Sequence, residues 1–213
     1  MFTNTFNQNH KTMQFQAPES IESAVNLLAN ASGDARILAG GTDLLVQLRS
    51  GMISPQLVID LKHVAQTRSI SAEAGGFRVG AAVAGAELSE HPGVKKAWPG
   101  VVEAVDLIGS TQIQGRASMG GNLCNASPAA DSVPAMIAAR ATCQVAGPDG
   151  FREVPVEDVC TGPGQTSLAK GEIVVSIFLP SRPSRSADAY LRFIPRTEMD
   201  IAVVGAGVNL TLD

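Results

Sequence analysis

The chain has 213 residues and is 45% hydrophobic, enough to bury the core of one or two compact domains. Its 16 basic and 20 acidic side chains give a net charge of −4 without a basic stripe, which argues against nucleic-acid binding. Residues 1–15 are polar, and no apolar run approaches the roughly 18 residues that span a bilayer. We therefore expect a soluble, cytoplasmic protein without a membrane span.

Residues 13–65 are predicted to form a β-α-β-α-β unit. Its elements are a strand at 13–15, a helix that opens at Ser20, a strand at 36–39, a helix from Thr42-Asp43 to Arg49 and a strand at 57–60. In the second helix, Thr42 and Asp43 are expected to cap the first turn. The spacing of Leu44, Leu45 and Leu48 predicts that they face inward.

Residues 66–183 are predicted to form a second unit, which begins with a hairpin turning at Gly75-Gly76. Its further elements are helices at 84–89 and 100–108, a polar stretch at 109–128, a helix at 131–139, paired strands at 142–146 and 151–154, and a strand at 172–179. The segment 180–186 resembles a linker.

Residues 187–213 are predicted to contain strands at 190–194 and 201–212. Two strands rarely make a stable unit alone. We therefore expect the chain to stop inside a third unit.

The cysteines and histidines form no metal-binding pattern, so no metal site is predicted. Cys124, Cys143 and Cys160 contain no CxxC pair, and the three histidines are scattered. Because an iron–sulfur cluster usually takes four cysteine thiolates, this chain cannot hold one alone. Cys124 is interpreted as a small buried hydrophobe and not as a redox thiol.

Two Gly-Gly segments are typical of backbone phosphate sites. Ala39-Gly40-Gly41-Thr42-Asp43-Leu44 lies between a predicted strand and a predicted helix, where free N–H groups and the helix dipole favour a phosphate. In Ser118-Met119-Gly120-Gly121-Asn122-Leu123, a predicted loop, successive N–H groups can form a second anion-binding nest. Two nests suit a pyrophosphate held from both sides. Either segment alone favours a plain turn, and the pattern alone indicates only a nucleotide or phosphate binder.

Four segments together resemble the flavoprotein family of the molybdenum hydroxylases. That family includes the medium subunit of aerobic carbon monoxide dehydrogenase and the FAD domain of xanthine dehydrogenase. The segments are 37–44 with the strand that ends at Asp60, then 117–131, 172–180, and the pattern Arg192, Arg196 and Asp200-Ile201-Ala202. Their order and spacing match across about residues 13–213.

The resemblance implies an α+β fold, namely a two-lobed FAD-binding domain of the PCMH type shared with vanillyl-alcohol oxidase relatives. It is not a Rossmann dinucleotide fold. Residues 13–65 would be the first FAD-binding subdomain and 66–183 the second. Residues 187–213 would begin a carboxy-terminal α+β domain that is truncated.

The resemblance also implies which residues contact FAD. The pyrophosphate region and the adenosine side are assigned to Ile37, Leu38, Ala39, Gly40, Gly41, Thr42, Asp43 and Leu44. The second side of the diphosphate is assigned to Ser118, Gly120, Gly121 and Asn122. Neighbouring parts of FAD are assigned to Asn125 and Asp131 near the ribityl chain, to Ile108 and Val174 along the flavin or adenine, and to Arg192 near the isoalloxazine. Three alternatives stay open: Asp131 can simply cap its helix, Arg192 can form a surface ion pair, and Ile108 and Val174 can be plain core residues.

By the same resemblance, the chain is the electron-transfer subunit of a larger oxidoreductase. Its partners would be a molybdopterin-binding large subunit and a [2Fe-2S] small subunit, assembled as a dimer of heterotrimers. No side chain of this subunit need act as a catalytic acid or base. A self-contained FAD-dependent oxidase or reductase, and an assembly subunit that has lost FAD, are the alternative hypotheses.

Overall fold

The computed structural model describes residues 13–196 and 200–213. The strands are β1 (Gln14–Gln16), β2 (Ala35–Leu38), β3 (Leu57–Asp60), β4 (Ile70–Glu73), β5 (Gly76–Gly80), β6 (Thr142–Gly147), β7 (Gly150–Pro155), β8 (Cys160–Gly162), β9 (Gln165–Thr166), β10 (Ile173–Leu179), β11 (Ser186–Phe193) and β12 (Val204–Thr211). The α-helices are α1 (Ile21–Ala29), α2 (Leu44–Arg49), α3 (Ala65–Arg68), α4 (Gly85–Glu90), α5 (Pro92–Ala97), α6 (Pro99–Asp106), α7 (Thr111–Gln114), α8 (Met119–Asn125) and α9 (Ser132–Ala138).

The first lobe is built on a parallel sheet in the order β1-β3-β2. Its central strand β3 is buried at every position, because a parallel sheet is covered on its faces by the crossover helices. Helix α1 begins where the Ser20 hydroxyl accepts the Ser23 N–H, and it buries Ile21, Ala24 and Val25. Along this part of the chain the elements follow one another as β1, α1, β2, α2 and β3.

The second lobe is built on an antiparallel sheet in the order β4-β5-β10-β6-β7. The first and last pairs are hairpins, as the turn at Gly75-Gly76 and the paired strands at 142–146 and 151–154 predict. Strand β10 lies in the middle, and its pairing with β6 shifts register between Val174 and Ser176. Such a bulge bends a strand locally, and this one lies beside the cavity described below.

Strand β10 joins the cores of the two lobes. On one side, Val174, Ile177 and Leu179 belong to the core that the second lobe forms around Trp98. On the other side, Ile173 and Val175 pack with the core of the first lobe, which contains Ile59. Because one strand supplies apolar side chains to both cores, the two lobes are packed against each other.

Strands β11 and β12 form an antiparallel hairpin whose two faces differ sharply. The inner face carries Asp188, Tyr190 and Arg192 and packs on α6 and α9. The outer hairpin face is apolar and exposed, and consists of Ala187, Ala189, Leu191, Phe193, Val204, Ala206, Val208 and Leu210. Leu191 is 77% exposed, which is unusual for a leucine within an uninterrupted apolar surface.

Three predictions about local structure are wrong. Leu45 is 53% exposed, because the short helix α2 lies on the surface, where Leu44 and Leu48 are only half-buried. Asp43 makes no side-chain capping bond to α2. Cys124 is exposed and not buried, because it lies on the cavity side of α8.

Within the described residues, no helix is long and apolar enough to cross a bilayer. The same residues contain no group of three or more His, Cys, Asp or Glu side chains that could hold a metal ion.

Candidate functional site

A cavity of about 320 Å³ lies between the two lobes, beyond the carboxyl end of β2. The first lobe lines it with Ile37, Ala39, Gly40, Gly41, Thr42, Asp43, Leu44 and Gln47. The second lobe lines it with Ile108, Ala117, Ser118, Gly120, Gly121, Asn122, Asn125 and Val174. The two Gly-Gly segments, far apart in sequence, therefore face one common cleft.

The first Gly-Gly segment presents a run of free backbone donors to this cavity. Residues 40–43 lie between β2 and α2, outside any regular element. Across the part of the chain that the structure describes, none of their N–H groups donates to a backbone acceptor. Gly41 has a φ of +81°, a left-handed backbone conformation that glycine adopts readily and that residues with a side chain disfavour. A phosphate oxygen could satisfy several of these amides at once, since buried N–H groups are nearly always paired.

Gly40 brings the two lobes into direct backbone contact. A Cβ atom added there would lie 1.9 Å from the carbonyl oxygen of Arg116 and 3.0 Å from the Ala117 nitrogen. No side chain fits in that space. Glycine is therefore required at this position by close packing of one backbone on another.

The second Gly-Gly segment is the first turn of a helix and not a loop, so the predicted nest is wrong in its local form. Ser118 is the N-cap of α8, and its hydroxyl accepts the Gly121 N–H at 3.1 Å. The first-turn amides of Met119 and Gly120 have no intrahelical acceptor. The segment still offers amide donors to the cavity, now aligned with the positive end of a short helix dipole.

Gly120 is held tightly against the second sheet. A Cβ atom there would lie 2.5 Å from the carbonyl oxygen of Ala81, just beyond β5. Gly121 has more room, since its nearest neighbour would be the Ser118 oxygen at 3.1 Å. The two adjacent glycines thus have different functions. Gly120 allows α8 to pack closely on the second sheet, and Gly121 leaves the cavity wall without a side chain.

Two side-chain hydrogen bonds fix the polar wall of the cavity. The Gln47 amide on α2 donates to the Asn125 carbonyl oxygen at 3.2 Å, which ties the first lobe to α8. The Asn122 carbonyl oxygen accepts the Ser132 hydroxyl at 2.7 Å, which ties α8 to α9. Asn122 and Asn125 both line the cavity with these bonds in place.

Three of the residues predicted to contact FAD lie away from the cavity lining: Leu38, Asp131 and Arg192. Leu38 is buried in the first lobe. Asp131 and Arg192 bond to each other at 2.9 Å, and their side chains are only 10% and 9% exposed. Their contacts with FAD stay predictions.

Asp131 and Arg192 fasten the hairpin to the second lobe. Asp131 also accepts the Tyr190 hydroxyl at 2.9 Å, and Arg192 also donates to the Leu107 carbonyl at 2.9 Å. Burial raises the pKa of Asp131, although the bonds from Tyr190 and Arg192 oppose that shift. Asp131 stands at the N-cap position of α9 but makes no side-chain capping bond, and Arg192 forms an ion pair that is buried and not on the surface.

Glu172 is a cavity-lining residue that the sequence did not single out. Arg152 on β7 donates to both of its carboxylate oxygens, at 2.6 and 2.7 Å. These bonds lower the pKa of Glu172. The arginine also offsets a negative charge at the edge of a site suited to anions. Only the register of β7, β6 and β10 reveals this pairing, so no sequence spacing could have predicted it.

Comparison with known proteins identifies the family. Residues 11–182 match the family described as the FAD binding domain in molybdopterin dehydrogenase. The chain belongs to this family. The match covers both lobes and both Gly-Gly segments.

Relatives of known function support the same assignment. The chain is 34% identical over 196 residues to the xanthine dehydrogenase FAD-binding subunit of Escherichia coli O157:H7, a match covering 91% of this chain and 67% of that subunit. It is 31% identical over 195 residues to the carbon monoxide dehydrogenase medium chain of Hydrogenophaga pseudoflava, covering 92% of this chain and 68% of that one. The chain thus spans about two thirds of the length of these relatives.

Solved structures confirm the two-lobed fold. Carbon monoxide dehydrogenase from Oligotropha carboxidovorans superposes with a TM-score of 0.90 at 30% identity, over 95% of this chain and 70% of that one. Quinoline 2-oxidoreductase from Pseudomonas putida 86 gives 0.87 at 29% identity, with the same coverage of each chain. The predicted family, fold and FAD cofactor are confirmed, and the chain is an FAD-binding oxidoreductase subunit of the molybdenum hydroxylase type.

The cavity fits FAD on structural grounds as well. Free amides of residues 40–43 and the first turn of α8 meet across one cleft, as a diphosphate requires. Ile108 and Val174 add apolar surface that suits a flat ring system.

Proposed function

We propose that this chain is the electron-transfer subunit of a molybdenum hydroxylase complex. In this proposal, electrons from substrate oxidation at a molybdopterin-binding large subunit cross a [2Fe-2S] small subunit to the FAD of this chain. They then leave to an external acceptor. The observation that carries the proposal is the convergence of residues 40–42 and 118–122 on one cavity in a chain of this family.

The residues of this chain would bind and orient the cofactor. The amides of residues 40–43 and of the first turn of α8 would donate to the diphosphate from its two sides. Asn125, held by Gln47, would present its amide group to the chain that links the diphosphate to the ring. Ile108 and Val174 would exclude water from the ring system. FAD, when bound, supplies the redox chemistry of the subunit.

None of these assigned roles requires a proton to move through a side chain of this chain. Within the described residues, Glu172 is the carboxylate of the lining with a lowered pKa, and it is committed to Arg152. Asp43 also lines the cavity, and loss of solvent raises the pKa of its carboxyl. The chemistry of the substrate would therefore lie on another subunit.

The proposed partners and location follow from the same assignment. We propose a dimer of heterotrimers in the cytoplasm, where the free thiols of Cys124, Cys143 and Cys160 would stay reduced. The lobe boundaries predicted from the sequence, at about 65 and 183, remain a proposal for how the chain divides. The apolar outer hairpin face supports the proposal that residues 187–213 belong to a further unit.

The experiment is affinity purification of the full chain from its native cells, followed by flavin and metal analysis. The proposal predicts that FAD, iron and molybdenum elute together. It also predicts that the separated chain keeps FAD but oxidises no substrate on its own.

Two results would contradict this proposal in different ways. A chain that elutes alone and turns over a small substrate would be a self-contained FAD oxidase or reductase. A chain that elutes with molybdenum and iron but, once separated, is colourless and takes up no FAD would be an assembly subunit.

A further inference from the structure

Lys62 lies directly behind the first Gly-Gly segment, outside the cavity lining. Its ammonium donates to the Ala39 carbonyl at 2.9 Å and to the Asp60 carboxylate at 2.7 Å. The Lys62 side chain is 25% exposed and that of Asp60 only 7%. A largely buried cation thus sits on the carbonyl that precedes Gly40.

The geometry of Lys62 is fixed locally. Asp60 ends β3 and caps the short 3₁₀ turn at Leu61–His63. The same carboxylate oxygen that binds the Lys62 ammonium also accepts the Lys62 backbone N–H, at 2.9 Å. The side chain therefore loses rotamer freedom in forming the pair, so little further ordering is needed when the cavity is filled.

The contact to Ala39 determines where the next amide points. All peptide bonds in the described residues are trans, so the Ala39 carbonyl and the Gly40 N–H point in opposite directions. With its carbonyl held on the Lys62 side, the Gly40 N–H faces away from Lys62. Gly40 lines the cavity, and its amide has no backbone acceptor among the described residues. A cation on the carbonyl also polarises the peptide, which makes the N–H a stronger donor.

We infer that Lys62 is a positioning residue that aims and polarises the Ala39–Gly40 peptide toward the diphosphate of FAD. This inference rests on the proposed function, because it needs a diphosphate at the first Gly-Gly segment. Lys62 acts through the peptide and does not touch the cofactor. The competing role is compensation of the buried Asp60 charge, which would affect stability alone.

The test measures FAD affinity and stability separately on the purified chain after removal of bound flavin. FAD is titrated by the quenching of its fluorescence, and the thermal midpoint of the FAD-free chain is recorded. Lys62→Met should raise the Kd for FAD by about tenfold, because the charge-assisted hydrogen bond that orients the Ala39–Gly40 peptide is lost. Lys62→Arg, which keeps a cationic donor, should stay within about threefold of the parent chain. Lys95→Met on the exposed face of α5 is the matched control and should leave the Kd unchanged.

A double variant separates the two roles and covers the case in which Lys62→Met does not fold. Asp60→Asn/Lys62→Met removes the charge from both position 60 and position 62 and keeps an acceptor at position 60. We expect its thermal midpoint to recover while FAD binding stays weak. Recovery of FAD binding in the double variant, or unchanged binding in Lys62→Met, would overturn the inference and leave the proposed function intact. A parent chain that binds no FAD would overturn the proposed function and the inference with it.

Discussion

A Cβ atom on Gly40 would lie 1.9 Å from the carbonyl oxygen of Arg116, so the backbone of the first Gly-Gly segment touches the backbone that leads into the second. The contact joins the two lobes beside the cavity that both Gly-Gly segments line. It also means that the width of the cleft depends on a residue without a side chain.

Gly40→Ala should therefore open the cleft. The added methyl group meets backbone and not a flexible side chain, so the two segments must move apart. We expect FAD affinity to fall by about tenfold or more, with a loss of about 1–3 kcal/mol in the free energy of unfolding. Flavin titration and urea denaturation measure the two effects. Gly115→Ala is the control, since an added Cβ there meets no atom of the described residues within 4 Å, and both quantities should hardly change.

The buried Asp131–Arg192 pair should stabilise the hairpin more than an exposed pair would. Arg192→Leu leaves the Asp131 carboxylate without its cation in a largely buried place, at an expected cost of about 3 kcal/mol in the free energy of unfolding. Asp131→Asn/Arg192→Leu should recover part of that loss, because neither position then carries a charge. A double-mutant cycle by urea denaturation measures the coupling, and additive losses would show that the pair is energetically independent.

Glu172 should make stability depend on pH in the acidic range. Its folded pKa is lowered by Arg152, so its contribution is present above the unfolded value of 4.5 and is lost as the pH falls through the folded pKa. Glu172→Gln should be less stable than the parent chain at about pH 7, by about 1 kcal/mol or less because Arg152 is partly exposed. At about pH 3 the difference should shrink toward zero. Thermal midpoints at both pH values check this, and a difference that grows in acid would contradict it.

The outer hairpin face should drive self-association of the 213-residue chain in the absence of other subunits. Eight adjacent uncharged, apolar residues form a patch, and exposure of this patch to water is unfavourable. We expect sedimentation velocity to show mass that rises with protein concentration. Leu191→Lys, placed at the centre of the patch, should shift the distribution toward monomer, whereas Lys95→Glu on α5 should not. A parent chain that stays monomeric at all concentrations would show that the patch is too small to associate.

The sequence predicted those parts of the fold that depend on local pattern. Strands β3 and β10 are short apolar runs whose length and β-branched residues are typical of a buried strand, and Gly75-Gly76 marks a hairpin turn. Helix α8 was missed because glycine at 120 and 121 lowers helix propensity. The Ser118 cap and the packing of Gly120 against Ala81 offset this low propensity. The Gly120–Ala81 contact depends on tertiary structure, so the sequence pattern does not reveal it.

The polar contacts of the site were less predictable. Asp131 and Arg192 are 61 residues apart, and no spacing indicates that they bond to each other. The exposure of Leu45 depends on how α2 sits on the first lobe, which periodicity alone does not determine. The two Gly-Gly segments stood out because free N–H groups in glycine turns favour a phosphate, and the resemblance of 37–44 and 117–131 to a known family implied that this phosphate belongs to FAD.

Equilibrium dialysis of the flavin-free chain with FAD, ADP and riboflavin tests most directly whether the two Gly-Gly segments bind one diphosphate. If the free amides at 40–43 and at the start of α8 hold one diphosphate, FAD binds at one per chain, ADP displaces it, and riboflavin binds far more weakly. If riboflavin binds as tightly as FAD and ADP does not compete, the two backbone segments do not grip a diphosphate.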